Sequence, residues 1–217
     1  EIFKVGLPAA LEQVVFQIGI TAFLILVAYY GTEAYAAYGI GVQILSFSFV
    51  IGFGFSIAGA TLVGQHLGAQ NKDQAKRAGW GAMRLSIISM TFFGIVIVAF
   101  AEPLARFMID NDEVVRLTVI FIWLLGSMQP LMAIEFSLGG ALRGAGDTKT
   151  PLVITLTCLL FIRVFLAAIF FLLDASIEII FSTLLADYIV KGFLYVSRFK
   201  SGRWMNVLKI KEVDQQL

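Results

Sequence analysis

The sequence predicts an all-α fold, a polytopic bundle of six membrane-spanning helices with both termini in the cytoplasm. Three observations predict it. Hydrophobic residues fill 59% of the 217 positions and charged residues only 14%, with a mean hydropathy of +0.88, whereas a soluble domain carries about 25% charge. Apolar runs near the roughly 20 residues needed to cross the hydrocarbon recur along the chain. Basic residues gather in alternate connections between those runs. The same composition excludes a disordered chain, and Cys158, the only cysteine, excludes a disulfide scaffold. A net charge of +1 leaves no electrostatic footprint for nucleic acid. The short alternating segments of a β-barrel are missing from the sequence.

The spans read as residues 7–30, 36–63, 80–100, 117–142, 152–173 and 177–195. The second and fourth are long enough to tilt or kink, and Pro130 lies inside the fourth. Lys72, Lys76, Arg77 and Arg84 follow the second span, opposed only by Asp73. Arg143 and Lys149 follow the fourth, and Arg198, Lys200, Arg203, Lys209 and Lys211 the sixth. The other connections are acidic: Glu33, then Glu102, Asp110, Asp112 and Glu113, then Asp174 and Glu178, with Arg106 and Arg116 as their only basic residues. The positive-inside rule therefore places both termini in the cytoplasm. Trp80 and Trp204 suit one interfacial belt, and Tyr29, Tyr30, Tyr35 and Tyr38 the other. Residues 1–198 read as a six-helix unit and residues 199–217 as a basic cytoplasmic tail. The chain lacks an initiator methionine and a signal peptide, as expected of a fragment, a processed piece or a trimmed chain.

Glycine marks the cytoplasmic ends. Gly64 and Gly68, like Gly140 and Gly144, are four apart, so each pair invites close approach of a neighbouring backbone. Gly52, Ala58 and Gly59 offer a further small-residue face on the second helix, expected to meet a partner. Gly146-Asp147-Thr148 breaks a helix, and Pro151 fits the first turn of the next. A phosphate-binding loop would need a preceding strand and a Lys-Ser/Thr ending in the full glycine-spaced motif, and that context is absent here.

Ionisable groups inside a bilayer face the protein interior or a wet cavity. Glu12 lies beside Gln13, Gln17 and Thr21, the last three forming one stripe of the first span. Gln129, Met132 and Glu135 recur around Pro130 in the fourth. Arg163 is mid-span in the fifth and reads as the counter-ion of a carboxylate or as a substrate-site charge. Asp187 and Lys191, spaced i,i+4, read as a structural ion pair near the cytoplasmic end. His66 reads as a surface residue and Cys158 as inert core. No metal cluster or nucleophile–base pair is discernible, so no enzyme is expected.

Several strings carry a resemblance. Gly6-Leu7-Pro8-Ala9-Ala10, Val63-Gly64-Gln65-His66-Leu67-Gly68-Ala69-Gln70-Asn71, Asp112-Glu113-Val114, Leu142-Arg143-Gly144-Ala145-Gly146-Asp147-Thr148 and Arg198-Phe199-Lys200-Ser201-Gly202-Arg203-Trp204 stand in this order. Together they resemble the multidrug and toxic compound extrusion (MATE) family of secondary transporters. The family has twelve spans in two six-span lobes, and this chain resembles the carboxy-terminal lobe. The resemblance implies a multi-pass protein of the plasma membrane that expels small organic, drug-like compounds by alternating access. It implies no cofactor, a sodium ion or a proton as the coupling ion, and a second six-helix lobe as partner. Sodium-coupled relatives carry a glutamate on the first helix of this lobe and an aspartate on the fourth. The aspartate position falls on Met132, while Glu135 and Glu12 each lie one turn nearer the cytoplasm, a displaced carboxylate pair. Glu135 and Glu12 are therefore the expected ion-coupling residues and the candidate sodium site, with Gln13, Gln17, Gln129, Met132 and Arg163 lining the cavity. Two alternatives stay open: a flippase of lipid-linked saccharides, against which a single basic residue deep in a span argues, and a non-transporting half-protein acting by assembly.

Overall fold

The computed structural model describes residues 2–207, with side chains from residue 6 onward. The helices are α1 (Ile2–Ala28), α2 (Thr32–Gly68), α3 (Lys72–Ala99), α4 (Ala101–Met108), α5 (Asp112–Ser127), α6 (Gln129–Gly144), α7 (Lys149–Thr157), α8 (Phe165–Leu172) and α9 (Ile177–Ser201). A π-helical segment, Cys158–Val164, joins α7 to α8 without interruption, and a 3-10 turn, Arg203–Asn206, follows α9. No strand forms among the described residues. Among the described residues, five helical rods are long and apolar enough to cross a membrane, and the bent pair α5–α6 makes up to six. The expected all-α, multi-pass bundle is what forms.

The spans depart from the sequence reading in four places. The fourth is two helices, bent by 54° between Ser127 and Gln129. Pro130 is at the start of α6, where it lacks an N–H and its ring crowds the carbonyl of Gly126, so the ladder breaks ahead of it. α2 runs 37 residues, to Gly68, roughly 55 Å at 1.5 Å per residue, and so extends beyond a bilayer's hydrocarbon core. The fifth span contains the π turn, whose extra residue per turn alters the facing of Arg163. The acidic connection after the third span holds α4, with Glu102 and Arg106 paired at 2.9 Å on one side and Phe107 and Met108 exposed. Eight residues are too short for periodicity to announce such a helix.

Glycine sets the central packing. At Gly140 and Gly144 of α6 a side chain would collide with the backbone of Ser56 and Ala60 of α2. A methyl group at Gly59 would stand 3.0 Å from the Ser137 carbonyl, and one at Gly64 3.1 Å from that of Gly144. Gly68 is clear of neighbours, so the expected close approach there does not occur. Gly52 packs under Phe136, so Gly52 and Gly59 are already occupied by α6 rather than waiting for an outside partner; only Ala58 of that face is exposed.

Three helix ends close alike. Asn71, Asp147 and Ala175 donate their backbone N–H to the carbonyls of His66, Leu142 and Phe170, at 2.8, 2.9 and 3.0 Å. Each closure needs a left-handed residue one position earlier: Gln70 (φ 57°), Gly146 (φ 80°) and Asp174 (φ 52°). The predicted break at Gly146-Asp147-Thr148 is one of them. The closures bring like connections together. At one end Lys72 donates to Asn206 at 2.8 Å, and Arg198 grips Asp147 at 2.7 Å. At the other, Tyr30 donates to the Ala175 carbonyl at 2.8 Å, and Arg116 meets Glu178 at 3.2 Å. The basic connections thus share one end of the bundle and the acidic ones the other. Trp204 folds back onto Phe199, ring centroids 4.6 Å apart, so the start of the supposed tail packs against the bundle. Lys209 and Lys211 lie outside the described residues.

Candidate functional site

Five elements converge on a cavity of about 300 Å3. α1 supplies Glu12, Gln13, Phe16 and Ile20, which recur at helical spacing along one side. α2 adds Phe49 and Phe53, and α6 adds Met132, Glu135, Phe136 and Arg143. Thr155 of α7 and Tyr188 and Tyr195 of α9 complete the wall. Phe136 is gripped by Phe53, edge-on at 5.0 Å between centroids, and by Phe49 at 6.4 Å. The wall is rich in aromatic rings, a surface suited to flat apolar molecules and to cations over ring faces.

Its charges are all paired. Glu12, nearly buried, accepts from Arg143 at 2.9 Å and from the Thr155 hydroxyl at 3.4 Å, and Arg143 also reaches Ser56 at 3.4 Å. Glu135, whose side chain is 20% exposed, lies 3.4 Å from Lys191. Lys191 is also 3.3 Å from Asp187 Oδ2, the oxygen that Asp187 shares with Arg163. Arg163 and Lys191 both lie over the ring of Tyr188, at 5.3 and 5.4 Å. Two carboxylates and two cations form this inner chain, so it is neutral as a whole, as burial demands. Only its Glu135 end opens on the cavity.

The structure brings together four of the residues singled out in the sequence, Glu12, Gln13, Met132 and Glu135. Gln17 does not join them: its side chain is exposed on α1, and its carbonyl accepts from Thr21 at 2.9 Å. Gln129 is fully buried against Gly94 of α3, one turn before Met132 and outside the cavity, and neither amide atom has a partner. Arg163 is behind the wall with Asp187, not in the cavity; the counter-ion alternative describes its place. Sequence reasoning missed Arg143, counted as a loop charge, because α6 continues to Gly144 and carries it alongside α1. It also placed Lys191 in a self-contained pair with Asp187, whereas Lys191 reaches Glu135 as well. Tyr188 and Tyr195 lie at i−3 and i+4 from Lys191, a stripe that could have been read from spacing.

The MatE family model matches residues 8–169. The chain belongs to that family. A probable multidrug resistance protein NorM of Thermotoga maritima is 35% identical over 213 residues, covering 94% of this chain and 44% of the relative. The fold matches a MOP superfamily transporter from Pyrococcus furiosus with a TM-score of 0.83 at 20% identity, over 93% of this chain and 45% of that one. The Vibrio cholerae MATE transporter VcmN in its bent form matches with a TM-score of 0.82 at 21% identity, over 94% and 47%. The chain thus spans less than half the length of these MATE relatives. MATE proteins are multi-pass transporters of the membrane and not enzymes, in keeping with a site built of rings and ion pairs.

Proposed function

We propose that this chain is one six-helix lobe, the carboxy-terminal one, of a cation-coupled exporter of organic, drug-like compounds that works by alternating access. The observation that carries the reading is the meeting of two membrane-embedded carboxylates, Glu12 and Glu135, with an aromatic wall in one cavity. Phe16, Phe49, Phe53 and Phe136 suit amphipathic substrates. Glu135, the more exposed carboxylate, is the principal coupling group and Glu12 assists it. A sodium ion or proton arriving at Glu135 alters the charge between α6 and α9, and a ligand that prefers one arrangement shifts the lobe toward it. A second lobe, on the same polypeptide or another, completes the cavity, and the basic end of the bundle faces the cytoplasm. The NorM relatives support the multidrug side of this reading. A flippase for anionic lipid-linked saccharides would require free cations in the cavity, whereas Arg143 and Lys191 are both held by carboxylates.

The test is efflux by the complete transporter in vesicles under separate proton and sodium gradients. Glu135→Gln keeps shape and hydrogen bonding but removes the charge, and should abolish ion dependence while Glu12→Gln only weakens it. Unchanged gradient-driven efflux in the Glu135→Gln protein refutes the assignment.

A further inference from the structure

Glu135 and Asp187 face each other across a gap filled by a tethered ammonium. Lys191 Nζ is 3.4 Å from Glu135 Oε1 and 3.3 Å from Asp187 Oδ2, between one carboxylate on α6 and another on its own helix. The lysine side chain is 1% exposed. It also lies over the Tyr188 ring, 5.4 Å from Nζ to the centroid. The position between two carboxylates is where a free cation would have to coordinate. We infer that Lys191 is a built-in substitute for a metal cation, and that it excludes sodium from Glu135.

The surroundings leave sodium no other carboxylate in the cavity. Glu12, on α1, is held by the Arg143 guanidinium at 2.9 Å, and arginine does not give up its proton. Arg163, from the π segment, pairs with Asp187 through Oδ2, the same oxygen that faces Lys191. Tyr38 of α2, Tyr188 and Tyr195 of α9 and Cys158 of the π segment are further titratable groups close by, and none brings a fixed negative charge. A sodium ion at Glu135 would sit within a few ångströms of the buried ammonium, in surroundings that screen like charges poorly. It would also raise a neutral buried network to a net charge of one. Both effects go when the ammonium is removed: Asp187 keeps Arg163 on Oδ2, and Glu135 with the remaining Asp187 oxygen offers carboxylate ligands to one cation. Lys191 is thus a specificity-determining residue, and Lys191→Met uncovers a latent sodium site. This rests on the coupling reading above, whose two ions at Glu135 it narrows to the proton, but its measurement does not require transport.

The experiment is radioactive sodium binding to the full chain in lipid nanodiscs, compared between the unaltered protein, Lys191→Met, Lys191→Arg and Lys191→Met/Glu135→Gln. The unaltered protein and Lys191→Arg should show no saturable sodium binding that depends on Glu135. Lys191→Met should gain it, with affinity up by about tenfold or more on loss of the like charge, and the added Glu135→Gln should abolish it. Saturable, Glu135-dependent binding in the unaltered protein overturns the inference, as does a folded Lys191→Met protein that gains none. If Lys191→Met does not fold, carbodiimide labelling of Glu135 in the unaltered protein decides: indifference to sodium supports the inference and protection by sodium overturns it. Sodium-driven efflux that needs Glu135 would sink this inference while leaving the transport reading intact. Absence of efflux under any gradient, alongside a sodium site gained in Lys191→Met, would do the reverse.

Discussion

Arg143 at the end of α6 holds Glu12 of α1 at 2.9 Å, across 131 positions of sequence. The glutamate side chain is 8% exposed and the arginine 31%, so the pair is a partly buried bond between two helices that barely touch elsewhere at this level. Removing the arginine alone strands a carboxylate in an apolar wall, and removing both charges does not. Arg143→Ala should therefore destabilise the protein by about 2–4 kcal/mol, Glu12→Gln by less, and the double variant by less than the sum. Thermal unfolding in detergent for the four proteins measures the coupling; strict additivity would show the pair to be energetically idle.

Contact between α2 and α6 is set by backbone rather than side chains. Gly140 and Gly144 lie against Ser56 and Ala60 so closely that any side chain must push the helices apart. Gly140→Val should cost about 3 kcal/mol or more, beyond ordinary overpacking because backbone cannot rotate aside. Gly68→Val, with open space around it, should cost little beyond its helix propensity. Equal melting temperatures for the two variants would contradict the packing described.

Gln70 and Asp174 hold left-handed conformations that glycine adopts without steric cost. Gln70→Gly should stabilise the protein by about 1 kcal/mol, since the closure made by Asn71 stays in place. A fall in melting temperature would mean that the Gln70 side chain contributes more than its strain removes.

Lys72 and Asp112 lie in connections of opposite charge character that gather at opposite ends of the bundle. Single cysteines placed there in a Cys158→Ala background should react with a membrane-impermeant reagent from opposite sides, Asp112→Cys from outside the cell. Labelling of both from one face would sink the orientation.

Much of this architecture was legible beforehand because bilayers demand long apolar helices whatever packs beside them. Composition, span count, the break at Gly146 and the family motifs needed only local reading. So did the singling out of Glu12 and Glu135, the two carboxylates that line the cavity, since charge in an apolar run stands out by itself. Partnership was not legible. Arg143 looks like a loop charge until α6 extends to carry it, and Lys191 looks satisfied by Asp187 until α9 packs beside α6. Gln17 and Gln129 share the polarity of their neighbours, yet helix rotation turns one outward and buries the other against Gly94. Residue type and spacing determine which groups avoid lipid. Which of them touch depends on the rotation and crossing of helices far apart in sequence, and only the packed structure, through the bend ahead of Pro130 and the glycine contacts of α2 with α6, decided that.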